Sequence, residues 1–159
     1  MGVTDARGDQ SPACQRRGGY ASAVETQAAL TAADKTRCPD TAERMEVLAR
    51  ARELLEQMDD PELPADDFHA LDAQFHILLS SLSGNVVLET MMTSIREATI
   101  GYVQETVAKL HIWSDVSRTL QAHHWKILEA VQRRDGERAC QLLREHITWS
   151  SGLGARGAR

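Results

Sequence analysis

Long apolar runs are absent from this chain of 159 residues, and no stretch approaches the roughly 20 residues that a membrane-spanning helix needs. The first 19 residues also lack the apolar segment of a secretory signal peptide. The three cysteines are widely spaced and form no CxxC pair, which excludes a disulfide framework and a thiolate zinc site. We therefore expect a cytoplasmic protein without a membrane partner.

Strand patterns are scarce as well, because β-branched residues are scattered and no alternating run of useful length occurs. Apolar residues instead recur at helical spacing along most of the chain. The sequence therefore predicts an all-α fold, an antiparallel bundle of about six helices within residues 20–150. Residues 1–19, without apolar periodicity, are predicted to be a flexible N-terminal arm, and residues 151–159 a flexible C-terminal tail. The first helix is predicted over about residues 21–34.

Capping signals mark the starts of several later helices. Asp40, followed three residues on by Glu43, predicts the start of the second helix through a capping box. Pro64 suits the first turn of the third helix. Asn85 and Asp135 are predicted to cap the fourth and sixth helices, because their side chains can accept from free backbone N–H groups.

The charge of the chain is concentrated in its central part. The net charge is −5, and the two predicted flexible segments carry +1 and +2, which leaves −8 on residues 20–150. Binding to nucleic acid depends largely on Lys and Arg that neutralise phosphates. We therefore expect this stretch by itself to bind DNA poorly.

Histidine is the residue type most informative about chemistry, with six in the chain. His76 follows Asp72 by four residues, which places both side chains on one helix face. His124 and His146 share faces with apolar residues of two later helices and are predicted to point inward. Three imidazoles and one carboxylate suit Zn, Ni, Mn, Fe or Co. Spacing alone leaves a metal site and hydrogen-bonded core histidines as equal alternatives, and His69 and His111 are predicted to face solvent.

Two segments resemble a known family. LDAQFHILLSSLSGN, residues 71–85, is similar to the D-x-x-F-H signature with a following S-G-N of the FCD domain, the C-terminal sensor domain of FadR-type regulators in the GntR family. HWKILEAVQRRDGERACQLLREHI, residues 124–147, resembles the family's later H-x-x-I-L signature that ends in a histidine. The similarity covers about residues 21–150.

The resemblance implies a metal site and an effector. In metal-binding family members an Asp, the His four residues on and two later His hold the ion, and these positions correspond here to the following residues: Asp72, His76, His124 and His146. Zn²⁺ is the first choice among the five metals. The family's sensor domains typically bind small carboxylates, and control DNA binding through the geometry of a homodimer. Arg96 and Asn85 are candidates for effector binding, with a surface salt bridge and a helix cap as the respective alternatives.

The chain also departs from the family pattern. Family members normally begin with a winged helix-turn-helix, and residues 1–19 are too few to form one, so DNA contact is expected only through a domain outside this sequence. The family often has an Arg one turn before the glutamate that matches Glu25, where this chain has Ala21 and Ser22.

Two other functions remain open from the sequence. An open metal site can activate water, so a hydrolase-like metalloenzyme is one alternative, although the chain has no H-E-x-x-H motif. Glu129 and Glu145 lie near the candidate ligands in sequence but are predicted to point to other faces. The second alternative is a metal-free helical dimerisation module.

Overall fold

The computed structural model describes residues 12–107 and 113–156, and the side chains of residues 19–98 and 113–153. The described chain forms six helices and contains no strand, which confirms the predicted all-α class. In chain order the helices are α1 (Pro12–Ala33), α2 (Ala42–Met58), α3 (Ala65–Ser81), α4 (Val86–Val107), α5 (Trp113–Gln132) and α6 (Gly136–Arg156).

Helix α3 packs against three helices, α1, α2 and α4. Helix α1 runs along α6, and α5 packs on both α6 and α2. The core between them is apolar, and its most completely buried side chains include Leu54, Leu55, Phe75, Ile127 and Leu128. Since α3 is enclosed on several sides, polar groups on more than one of its faces are removed from water.

Both end helices extend further than predicted. Helix α1 begins at Pro12 instead of near residue 21, and α6 continues to Arg156, into the predicted tail of residues 151–159. Adding a turn to an existing helix costs much less than nucleating one, so the glycines near these ends are tolerated. Leu153 is also buried in the core, which favours the continuation of α6. The rest of the predicted arm and tail, residues 1–11 and 157–159, lies outside the described residues.

The helix caps follow the local sequence in most places. Asn85 Oδ1 accepts from the backbone N–H of Val87 at 3.0 Å, and Asp135 Oδ1 accepts from that of Arg138 at 3.0 Å, as predicted. The cap of α2 was predicted wrongly: Thr41 occupies it, with its hydroxyl accepting from the Arg44 N–H. Asp40 instead pairs with Arg134, since a carboxylate gains more from a charged donor than from a backbone N–H.

Two arginines fix the C-terminal end of α1. Arg44, which is buried, donates to the carbonyl oxygens of Ala32 and Val131 at 3.1 Å each. Arg134 donates to the same Ala32 oxygen at 3.1 Å and to the Cys38 carbonyl at 2.8 Å. The last carbonyls of a helix have no partner within it, so these contacts satisfy them and hold α1 against the bundle.

None of the helices in the described ranges is both long and apolar enough to cross a membrane.

Candidate metal centre

Four side chains from three helices converge in the interior of the bundle. Asp72 and His76 come from successive turns of α3, His124 from α5 and His146 from α6. One potential ligand atom of each lies within 4.8 Å of those of the other three. The four-residue spacing on α3 places its two side chains on one face, as predicted. The three imidazoles are buried, and the carboxylate is half-buried.

The rings of the three histidines pack closely together. The ring centres of His124 and His146 are 4.8 Å apart, those of His76 and His146 5.0 Å, and those of His76 and His124 5.4 Å. Phe75 borders this group at 5.1 Å from the His124 ring. Apolar walls that surround polar atoms strengthen electrostatic interactions among them.

One nitrogen or oxygen of each of the four residues is buried without a hydrogen-bond partner. These atoms are Asp72 Oδ1, His76 Nε2, His124 Nε2 and His146 Nδ1. Unpartnered buried polar atoms are uncommon in folded proteins, and each carries a desolvation cost of about 1–3 kcal/mol. Three nitrogens and one oxygen also form a donor set that divalent transition metals accept. The residues present therefore fit a metal ion.

The carboxylate of Asp72 is the anionic member of the group. Its Oδ1 lies 2.9 Å from His124 Nε2 and 3.7 Å from His76 Nε2, contacts that lack the alignment of hydrogen bonds. Burial by itself would raise the pKa of Asp72, but the two imidazoles outweigh it and hold that pKa well below its usual range. Asp72 is therefore ionised at neutral pH, as a metal ligand must be.

The three imidazoles differ in their tendency to take up a proton. Burial, together with the neighbouring imidazoles of His124 and His76, lowers the pKa of His146 well below its ordinary value. Burial also lowers the pKa of His124, although Asp72 opposes it. For His76, burial and Arg96 lower the pKa, but the carboxylates of Glu25 and Asp72 outweigh them and the pKa is raised. His124 and His146 are therefore neutral at neutral pH, so each has a ring nitrogen with a free lone pair that can bind a metal.

Two of the imidazoles are hydrogen-bonded on the side away from the cluster. His76 Nδ1 is 2.7 Å from Oε2 of Glu25, a buried carboxylate on α1. His124 Nδ1 is 3.3 Å from Oε1 of Gln121, one turn earlier on α5. Partners of this kind fix the orientation of metal-binding histidines.

Arg96 reaches the cluster from α4. Its guanidinium contacts Oε1 of Glu25, and its Nη1 lies 3.4 Å from Oδ2 of Asp72. The side chain of Arg96 is only 12% exposed, so this pairing is not the surface salt bridge that the sequence left open. A cation therefore adjoins the carboxylate face of the cluster.

The FCD domain family model matches residues 20–148, which is most of the chain. The chain belongs to the FCD domain family. FCD domains are effector-sensing domains of GntR-family transcription regulators, and the family is generally non-enzymatic. The match covers α2 to α5 completely and most of α1 and α6, and it includes the four clustered residues. Comparison with curated proteins gives no match.

The other predicted polar residues of this FCD domain have different surroundings. Asn85 is exposed, and its side chain accepts from the first backbone N–H groups of α4, as a cap does. His69 was predicted wrongly: it is buried, with its ring 5.1 Å from that of Trp113. The helices packed around α3 and the start of α5 cover the His69 side chain. His123 lies beside the cluster, with its ring centre 5.8 Å from that of His146, while His111 lies outside the described residues.

Sequence patterns alone did not assign a role to Glu25 or Gln121. A signal for Glu25 does exist, since it lies one turn from Ala21 and from Ala29 on the buried face of α1. A carboxylate among such apolar neighbours needs a partner. Gln121 offered no comparable signal, because its contacts with Leu55 and Asp59 join distant parts of the chain.

A small cavity adjoins His76 and Glu25. Its volume of about 10 Å³ is close to the minimum for one water molecule. Apart from Ser80, the rest of its lining is apolar and consists of Ala29, Leu79, Val131 and Leu143. A ligand larger than water therefore requires side chains around this cavity to move.

Proposed function

We propose that this FCD domain is a metal-dependent sensor of a small carboxylate in a GntR-type transcription regulator. Asp72, His76, His124 and His146 hold a divalent transition metal, with Zn²⁺ the first choice and Ni, Mn, Fe or Co as alternatives. When bound, the ion supplies open coordination positions that attract an anionic ligand.

The observation that carries the proposal is the set of four unpartnered ligand atoms. His69 Nε2, His123 Nδ1 and Arg96 Nε are also buried without a partner, but among the described residues only the four atoms of the cluster lie close enough together to share one ion. A metal ion satisfies all four atoms at once and offsets the repulsion that would follow from protonating adjacent imidazoles. Within residues 12–107 and 113–156 one cluster of this kind occurs, with its four atoms within 4.8 Å, which supports one ion in this part of the chain.

The charges around the cluster favour a ligand with one negative charge. A divalent ion and Arg96 bring three positive charges, against one negative charge each on Asp72 and Glu25. One positive charge remains, which a monocarboxylate neutralises. The second carboxylate of a larger acid would meet the apolar lining or Glu25 in the cavity beside His76, an unfavourable environment for an anion.

A homodimer gives ligand binding a route to a regulatory output. Four exposed apolar side chains form a patch on α1 and α4, the α1/α4 patch: Tyr20, Val86, Val87 and Met91. Exposed apolar patches often mark association surfaces. A ligand that binds more tightly to one packing of the bundle raises the population of that packing. Because the packing affects the dimer, the change alters the spacing of attached DNA-binding domains.

Binding is a better account of the cluster than hydrolysis. Glu129 and Glu145 are exposed and pair with neighbours on their own helices. Glu25 is engaged by His76 and Arg96, so its carboxylate is not free to accept a proton from water. We therefore propose no catalytic role for these glutamates.

Metal analysis tests the proposal directly. We expect purified protein, dialysed against buffer, to retain about one divalent metal per chain by elemental mass spectrometry. His124→Ala should weaken metal affinity at least about tenfold, because it removes one of four ligands. His69→Ala is the matched control, since His69 is also a buried imidazole but lies outside the cluster. Equal metal content in wild type and His124→Ala would contradict the proposal.

A chelator separates the sensor from the metal-free dimerisation module. A ligand that binds only the folded state stabilises it by about 2.7 kcal/mol at one hundred times its Kd. Removal of the metal with EDTA should therefore lower the melting temperature by several degrees. An unchanged melting temperature would favour the metal-free alternative.

A further inference from the structure

Glu25 lies outside the group of four candidate ligands but contacts one of them directly. We infer that Glu25 is a positioning residue for the metal centre: it accepts the Nδ1–H of His76 and so leaves His76 Nε2 unprotonated toward the other ligands. This inference rests on the proposed metal function and adds a fifth residue to its machinery.

The hydrogen bond between these residues determines which ring nitrogen carries the proton. A neutral imidazole has one N–H group and one free lone pair. Oε2 of ionised Glu25 can only accept, and it lies 2.7 Å from His76 Nδ1, so the proton belongs on Nδ1. The lone pair is then on Nε2, which is buried and has no hydrogen-bond partner. The same tautomer satisfies Glu25 and offers a donor to a metal.

Glu25 is itself held in place. Its carboxylate is buried on α1, and its second oxygen, Oε1, contacts the guanidinium of Arg96. Arg96 also contacts Asp72, so one cation fixes a metal ligand and the residue that orients another. A carboxylate fixed by two partners loses little conformational freedom when the site is used.

His124 provides an internal comparison, because its orienting partner is a neutral amide. Gln121 donates through Nε2 to the Leu55 carbonyl at 2.5 Å and to Asp59 at 2.8 Å, which leaves Oε1 to face His124 at 3.3 Å. This contact is longer than the one to His76 and has no charge on the acceptor. Charge-assisted hydrogen bonds are roughly twice as strong as neutral ones. Glu25 should therefore matter more to metal affinity than Gln121.

Metal competition with a chromophoric chelator measures the effect on Zn²⁺ affinity. Glu25→Gln keeps the side-chain length and an acceptor oxygen but removes the charge. We expect its Zn²⁺ Kd to rise about 10- to 100-fold, the usual effect of losing a partner of a metal-binding histidine. Gln121→Ala should give a smaller increase, and Glu46→Gln, at an exposed carboxylate on α2, should give none. A Kd for Glu25→Gln within about twofold of wild type overturns the inference.

The position of the proton on the His76 ring distinguishes a positioning role of Glu25 from a merely structural one, which would not affect it. Long-range ¹H–¹⁵N NMR of the metal-free wild type, at a pH where the His76 ring is neutral, should show its proton on Nδ1 and exchanging slowly with water. A proton on Nε2 in wild type overturns the inference without any variant, so a folding defect in Glu25→Gln does not prevent the test.

The two proposals fail in different ways. If wild type binds no metal, the proposed function fails, and the NMR spectrum of the metal-free protein still decides whether the His76 proton lies on Nδ1, where Glu25 accepts it. If wild type binds Zn²⁺ but His76 of the metal-free protein carries its proton on Nε2, the metal function stands and the role of Glu25 is refuted. Circular dichroism of each variant verifies that the helices are intact.

Discussion

Nη1 of Arg96 lies 3.4 Å from Oδ2 of Asp72, so a cation on α4 contacts the carboxylate whose other oxygen faces two imidazoles. This contact joins the candidate metal ligands to the one cation that adjoins them in the described part of the chain. It also separates two proposed roles: Asp72 as a metal ligand, and Arg96 as the contact for an anion that binds to the ion.

The role of Arg96 predicts a separation of metal binding from carboxylate binding. In the Zn²⁺-loaded wild type, small monocarboxylates such as lactate should raise the melting temperature more than succinate or citrate does. Arg96→Met should reduce the lactate-induced shift by at least half, because one attractive charge is lost, while the metal content, measured at saturating Zn²⁺, stays near one per chain. Thermal melting with increasing lactate, combined with elemental analysis, measures both quantities.

Arg50→Met is the control for this experiment, since Arg50 is exposed on α2 and pairs only with Glu53 among the described contacts. It should give the wild-type lactate shift. A full lactate shift in Arg96→Met, or a larger shift with citrate than with lactate, would argue against the proposed ligand site.

The pKa shifts in the cluster predict how stability of the metal-free protein depends on pH. Burial lowers the pKa of His124 and His146, whereas in the unfolded chain both titrate near the ordinary value of about 6.5. The unfolded chain therefore takes up protons first, and stability that is present above pH 6.5 is lost as the pH falls below it. The raised pKa of His76 has the opposite effect, because it stabilises the folded protein as the pH falls.

The lowered pKa values of His124 and His146 outweigh the raised pKa of His76, so acidification lowers the free energy of unfolding. The lowered pKa of His69, caused by its burial, adds to this loss. We expect the free energy of unfolding, measured with urea and EDTA, to fall by about 1 kcal/mol or more per pH unit between pH 6.5 and 5.5. His146→Gln should reduce this slope. A free energy that rises as the pH falls would show that His76 dominates.

The proposed homodimer predicts that the α1/α4 patch is covered in solution. Val87 is 60% exposed in the single chain, and a charge placed there would be buried in the dimer at a large cost. Val87→Glu should therefore shift the protein toward monomer in size-exclusion chromatography with light scattering. Met45→Glu is the control, because Met45 on α2 is similarly exposed but lies outside the patch. A monomeric wild type, or a dimeric Val87→Glu, would contradict the proposed dimer surface.

Local spacing was enough to predict the features that depend on one helix. The pair Asp72 and His76 follows from a four-residue interval, and the cap at Asn85 from a side chain next to free backbone N–H groups. The burial of His69 could not be predicted in this way, because a helical stripe identifies one inward face and α3 is covered on several.

Contacts between distant segments were the other features beyond the reach of spacing. Glu25 and His76 are separated by 51 residues, and which carboxylate meets which imidazole depends on how α1 lies against α3. That arrangement depends in part on the hydrogen bonds of Arg44 to α1 and α5. The sequence identified the donors of the cluster but not the residues that orient them.

The close approach of α1 and α6 predicts opposite effects for the same substitution at two glycines. A Cβ on Gly136 would lie 2.9 Å from Cβ of Ala33, closer than two such atoms can approach, whereas a Cβ on Gly19 would meet nothing within 4 Å. Gly136→Ala should therefore destabilise the protein by about 1–3 kcal/mol, the usual range for overpacking. Gly19→Ala, in a helix interior, should stabilise it by up to about 1 kcal/mol.

Urea denaturation of the metal-loaded protein measures both effects under identical conditions. Combining Gly136→Ala with Ala33→Gly removes the clashing methyl group, so the double variant should recover part of the loss at Gly136. Recovery has an upper limit, because glycine near the end of α1 carries its own helix-propensity cost. If Gly136→Ala were as stabilising as Gly19→Ala, the two helices would not pack at the distance described, and the placement of Glu25 on α1 would need revision with it.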